Sequence, residues 1–136
     1  MKKVKSLLVL FILGSLFLFS SCSKDDDPTL TKTQLLTQNT WKYSSGTSTN
    51  PLVQALIGAL AGTEYVFKTD KTYSVTQLGQ SIASGKWEFS SDETKIIKDK
   101  GSVDEATLEI VTLDGSNLEV KEVDGSFTTT IKYVKK

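Results

Sequence analysis

From Trp41 onward the aromatic side chains keep one parity within each apolar segment. Trp41 and Tyr43, Tyr65 and Phe67, Tyr73, Trp87 and Phe89, and Phe127 and Tyr133 each stand two residues, or a multiple of two, from their segment partners. The positions between them are mostly Lys, Glu, Thr and Ser. Side chains alternate faces along a strand, so this spacing puts one face of every strand against a core and leaves the other wet. These nine aromatics predict an all-β domain with a single interior.

The punctuation between the segments gives their order. Strands are predicted from Trp41, over 63–69, 72–77, 82–89, 95–98, 105–113, 117–123 and 126–134. Asp70-Lys71, Leu78–Ser81 and Ser90–Thr94 read as turns, 99–104 as a loop, and Asp114-Gly115 and Asp124-Gly125 as hairpin turns. Ile96 and Ile97 leave the phase of their strand open, and Gly85 inside an aromatic strand predicts a bend or bulge. One short helix interrupts the series. Asn50 suits an N-cap, Pro51 the first helical position and Gly62 the stop, around Leu52, Val53, Leu56, Ile57 and Leu60. A weaker helical turn opening at Thr31 or Thr33 precedes the first strand. Eight strands joined by short links close into an antiparallel up-and-down barrel, which removes exposed edges. A two-sheet sandwich is the alternative, but it wants longer crossovers.

Composition narrows the chemistry. The chain has no histidine and no arginine, which excludes Ser-His-Asp and Cys-His catalysis, histidine zinc sites and bidentate guanidinium clamps. Cys22 is the lone cysteine, so neither a disulfide nor a thiolate metal cluster is available. Glycoside hydrolysis would need a carboxylate pair facing the interior. Glu64, Glu88, Glu109 and Glu119 all fall in the outward phase, and no catalytic residue, metal or cofactor is expected. Beyond residue 21 the chain carries 13 lysines against 16 acids, a net charge of −3, with no basic stripe. Nucleic acid is not an expected partner.

The first 28 residues address location. Lys2, Lys3 and Lys5 precede an apolar run, Leu7 to Phe19, followed by Ser20, Ser21 and Cys22. The run is too short to span a bilayer and suits a signal-peptide h-region. This stretch resembles bacterial lipoprotein precursors. That resemblance implies cleavage before Cys22, acylation of its thiol, and anchoring of the mature chain in the outer membrane. The alternative is an uncleaved signal anchor. Ser23, Lys24, Asp25, Asp26 and Asp27 then read either as a solvated linker, with the domain on the periplasmic face of the outer membrane, or as the surface-export signal they resemble in Bacteroidota lipoproteins. The expected organisation is a signal peptide over 1–21, a lipidated acidic tether over 22–32 and a barrel over 33–136.

Within the barrel, Leu35-Leu36 ahead of Trp41, Tyr65-Val66-Phe67 with Asp70 and Thr72-Tyr73, and Gly85-Lys86-Trp87-Glu88-Phe89 are similar to the lipocalin-like lipoproteins of Bacteroidota. Asn117-Leu118-Glu119-Val120 after the Asp114 turn continues the likeness. The resemblance implies an eight-stranded barrel with room for one apolar ligand. Tyr65, Phe67, Tyr73, Trp87 and Phe89 would line the pocket, with Leu56 and Leu60 in a lid above. The competing expectation is that the aromatics fill the barrel, which then acts through its surface on a partner protein or glycan.

Overall fold

The computed structural model describes residues 29–136. The candidate signal peptide, Cys22 and the Ser23–Asp27 run lie outside the described residues.

Helix α1 (Lys32–Thr37) opens on a capping box. The Thr31 hydroxyl accepts the Gln34 N–H at 3.2 Å, and the Gln34 side chain accepts the Thr31 N–H at 2.8 Å. Two of the helix's orphan donors are thereby satisfied. A helix this short gains its stability from packing. Leu36 is fully buried, and its carbonyl accepts the indole N–H of the equally buried Trp41 at 2.9 Å.

The strands follow in the predicted order: β1 (Thr40–Ser48), β2 (Thr63–Phe67), β3 (Thr72–Gln77), β4 (Gln80–Phe89), β5 (Lys95–Lys98), β6 (Ala106–Leu113), β7 (Asn117–Asp124) and β8 (Phe127–Lys135). Each pairs with the next, and β1 pairs antiparallel with β8 from Trp41↔Lys135 to Ser48↔Thr129. The result is a closed eight-stranded barrel, not a sandwich. Between β1 and β2 lies α2 (Pro51–Leu56), continued by a 3-10 turn, Ile57–Leu60.

The up-and-down order sorts the links between two ends. The β2–β3, β4–β5 and β6–β7 links share the end where α1 sits. The α2 segment, the Leu78-Gly79 turn, the 99–105 loop and the Gly125-Ser126 turn share the other. Trp41, Phe67, Trp87, Ile96 and Leu118 are all at most 2% exposed, and most of them lie toward the α1 end. Phe67 meets Trp87 edge-on at 5.8 Å between ring centroids, and Trp87 meets Phe89 at 5.3 Å. Such edge-to-face contacts add about 0.5–1.5 kcal/mol each beyond area burial. Outside, Glu64, Glu88, Glu109 and Glu119 pair with Lys136, Lys100, Lys121 and Lys132. Exposed pairs of this kind contribute little to stability.

Three local expectations change. The ambiguous strand resolves with Ile96 inside and fully buried and Ile97 half-buried on the outer phase. Phe127, of inward parity, stays 41% exposed because it sits at a hairpin tip opposite Asp124. Gly85 does not mark a bulge. The register shift between β3 and β4 falls at Val75/Thr76, whereas Gly85 pairs regularly with Tyr73.

Glycine is needed at 85 for another reason. A Cβ there would lie 2.0 Å from Asp99 Oδ1 and 2.7 Å from its Cγ. The Asp99 carboxylate occupies the space a side chain would take. There it accepts the Tyr73 hydroxyl at 2.5 Å and the Lys86 N–H at 2.9 Å. The Tyr73 hydrogen bond, followed by that of Lys86, holds the Asp99 carboxyl below its ordinary value. Burial, reinforced by Asp99, pushes the Tyr73 phenol well above its own. Hydrogen bonds to a charged group contribute about 1.5–3 kcal/mol. Gly85→Ala should therefore destabilise the barrel by about 2 kcal/mol in urea denaturation, through displaced Asp99. The same change made on an Asp99→Ala background should cost well under half as much, a coupling that a double-mutant cycle reads directly.

Candidate functional site

The segment between β1 and β2 roofs the barrel end opposite α1. Asn50 caps α2 as its sequence predicts, its side-chain oxygen accepting the Leu52 and Val53 N–H groups at 3.0 and 3.4 Å. The roof is tied to the wall by polar contacts. Gln54 accepts the Ser48 N–H at 2.7 Å, and Gln77 donates to the carbonyls of Ala59 and Ala61 at 2.5 and 3.3 Å. Ile57 is the apolar pin. It is 6% exposed and rests over Gly46, where a Cβ would come within 3.1 Å of its Cγ2 and 2.7 Å of Ile131 Cδ1. No other residue of α2 or the 3-10 turn is buried, and Leu52 and Leu56 remain 77% and 68% exposed.

Beneath this roof lies a cavity of about 350 Å³. Val53, Leu56, Ile57 and Leu60 cover it, and Val75, Leu108, Val120 and Ile131 form apolar walls. Below it, among Phe67, Ile96 and Leu118, lies a void of only about 10 Å³. A void that size is at the limit of what admits one water, about 10–15 Å³, so the lower half is packed and the upper half is hollow.

The expected pocket residues divide between the two halves. Tyr65, Leu56 and Leu60 line the cavity. Phe67, Tyr73, Trp87 and Phe89 do not: Phe67, Tyr73 and Trp87 are core residues, and Phe89 packs against them. Their height explains this. Phe67 and Tyr73 flank the β2–β3 turn, Phe89 ends β4, and both turns lie at the α1 end. The expectation missed Thr63, Lys98, Leu108, Val120, Ile131 and Tyr133, which all line the cavity. One signal was present. Once Ile96 is inside, parity carries Lys98 inside as well.

The cavity's polar groups are few. Burial, with Tyr65 and Tyr43 alongside, pushes the Tyr133 phenol far above its ordinary value, so it stays neutral. Thr63 is 3% exposed, and its hydroxyl has no hydrogen-bond partner among the described residues. Lys98 is half-buried, with its ammonium 5.5 Å from the ring centre of Tyr65 and 5.6 Å from that of Tyr73. Glu122 is exposed on the cavity's margin. No group of three or more metal-ligating side chains occurs among the described residues.

An unpaired buried hydroxyl costs about 1–3 kcal/mol. Thr63→Val keeps the shape and removes that cost, so it should raise the stability of the ligand-free protein by about 1 kcal/mol in urea denaturation. A Thr63→Val variant that is less stable would mean that the hydroxyl is satisfied in solution.

No protein-family profile matches the chain, and no curated protein matches it in sequence. Among solved structures it is similar to bovine odorant binding protein in three complexes. With a selenium-containing odorant, the identity is 22% and the TM-score 0.47, over 79% of this chain and 74% of that one. With its natural ligand the values are 23% and 0.46, over 76% and 72%. With undecanal they are 24% and 0.44, over 71% and 68%. On its own topology, with eight antiparallel strands in up-and-down order closed around one interior and a short helix before β2, the domain has a lipocalin-like fold.

Proposed function

We propose that the protein is a lipid-anchored outer-membrane lipoprotein, exposed at the cell surface, whose barrel holds a small apolar ligand. The cavity of about 350 Å³ under the α2 roof carries the binding half of this reading. Ligand sites span about 300–1,000 Å³ and are mostly apolar with a few placed polar groups. This one sits at the small end of that range, which favours one chain or one ring system over a large polycyclic molecule. Its single rim carboxylate, Glu122, has no second carboxylate beside it in the lining, and glycoside hydrolysis needs two. Binding is therefore the favoured role over catalysis.

The anchoring half rests on sequence. A charged start, an apolar run of h-region length and small residues before Cys22 support acylation at that thiol, and Ser23–Asp27 supports export to the surface. Two or more acyl chains contribute about 0.8 kcal/mol per buried CH₂, enough for stable attachment. A second reading has its own observation. Leu52 and Leu56 expose an apolar face on α2 that also suits a partner protein, and such a partner would sit on the roof.

Two measurements test the proposal. Ala83 lines the cavity from β4 but is itself exposed, so Ala83→Trp puts a ring into the cavity without disturbing the packed half. A fluorescent apolar probe should bind the wild-type chain saturably, and Ala83→Trp should weaken it at least tenfold with denaturation unchanged. A chain that takes up no probe, or an Ala83→Trp variant that binds as well as wild type, contradicts ligand binding in the barrel. For the anchor, Cys22→Ala should abolish incorporation of radiolabelled palmitate in cells. Labelling that persists would place the lipid elsewhere or show that another route holds the protein.

A further inference from the structure

We infer that the ligand is an amphipathic acid, with its carboxylate held by Lys98 and its apolar part lying along the cavity toward Leu56 and Leu60. The inference rests on the carrier reading above and deepens it. Lys98 ends β5, shares the inward parity of fully buried Ile96, and lines the cavity. Several other lysines have partners among the described residues. Four outer glutamates hold four lysines, and Lys71 lies 4.2 Å over the Trp87 ring. Lys98 enters no ion pair and donates no hydrogen bond among the described residues. Its ammonium has only the faces of Tyr65 and Tyr73, at 5.5 and 5.6 Å.

An ammonium drawn partly out of water is costly unless an anion meets it, and a lysine stem is long enough to reach solvent where nothing holds it inside. Two carboxylates are near enough to be weighed. Asp99 follows Lys98 in sequence and feels its charge, yet the two side chains form no ion pair, and the carboxylate is directed to the Tyr73 hydroxyl and the Lys86 N–H. Glu122 lies on the exposed margin, and Lys98 makes no ion pair with it. The Lys98 ammonium therefore faces an apolar volume without an ion-pair partner among the described residues. The unpartnered Thr63 hydroxyl, 3% exposed and lining the same cavity, is a second polar group without a protein partner. A purely hydrocarbon ligand would leave both unsatisfied. A single-chain acid gives the ammonium its counter-ion and fills the apolar walls.

The test compares dodecanoate with dodecanol, which share a chain and differ in the head group. An acyl group on Cys22 would compete with both, so the assay uses the full chain with Cys22→Ser. Binding is read by calorimetry, with near-ultraviolet circular dichroism as the check on fold. The Cys22→Ser chain should prefer dodecanoate by at least tenfold, and adding Lys98→Met, which keeps the stem's bulk, should erase that preference while dodecanol binds as before. If both probes bind and Lys98→Met leaves their ratio unchanged, Lys98 is no anchor and only this inference fails. If neither probe binds the Cys22→Ser chain, the carrier reading itself fails and this inference falls with it.

Discussion

The seam between β1 and β8 is the constraint on which the rest of the structure depends. Seven of the eight strand pairings join neighbours in sequence, six of them through short links and the β1–β2 pair across the α2 segment. The eighth joins Trp41 to Lys135 and Ser48 to Thr129 across nearly the whole described chain. It converts a twisted meander into a closed wall with no unpaired edge. Closure also sets an interior of roughly fixed width, so the side chains of inward parity decide how much of that interior is filled. The β1 strand contributes at both ends of the outcome. Trp41 fills the α1 end, while Gly46, on the cavity side, leaves room for Ile57 to seat the roof.

The interior is consequently divided into a stable half and a hollow one. Trp41, Trp87, Phe67 and Leu36 bury large surfaces at one end, where each such side chain contributes a few kcal/mol. A domain of about one hundred residues has only 5–15 kcal/mol of net stability to hold it together. Concentrating the aromatic layer at the α1 end is what makes an unfilled volume at the α2 end tolerable. The hollow half carries an unpartnered Thr63 hydroxyl and a half-buried Lys98. Departures from local optimum grouped around one cavity, with a tightly packed layer beneath, are the pattern expected where binding competes with stability.

Much of the fold was legible because it depends on parity and punctuation. Period two in the aromatic and aliphatic residues gives the side of most strands, and Gly, Asp and Asn mark where strands reverse, so strand number, order and closure follow from local signals. The site was less legible because parity carries no information about height. Phe67, Tyr73, Trp87 and Phe89 are as inward as Tyr65, yet they lie near the turns of the α1 end and close the core. Tyr65, one step further from the β2–β3 turn, reaches the cavity. The polar lining was hidden for a different reason. Lys98 is a charged residue at a strand end, a position that ordinarily points to water. Only the burial of Ile96, which the Ile96-Ile97 pair does not reveal, turns it inward. Gly85 shows a third limit. Its sequence signal is real, but the group it accommodates is the Asp99 carboxylate arriving from the end of β5, a long-range fact that no local pattern contains.

The arrangement along the barrel axis also bears on how an anchored carrier would work. The described chain enters through α1, at the packed end, and Leu36 and Trp41 fix that entry rigidly to the core. The cavity, its roof and the apolar side chains of Leu52, Leu56 and Leu78 lie at the opposite end. Ile57 is the only buried residue in the roof, and the roof's other ties include the Ser48 N–H donated to Gln54 and the Gln77 amide donated to Ala59. Opening the mouth therefore requires releasing one apolar pin and a few exposed polar contacts, while the aromatic layer that holds the fold together is left untouched.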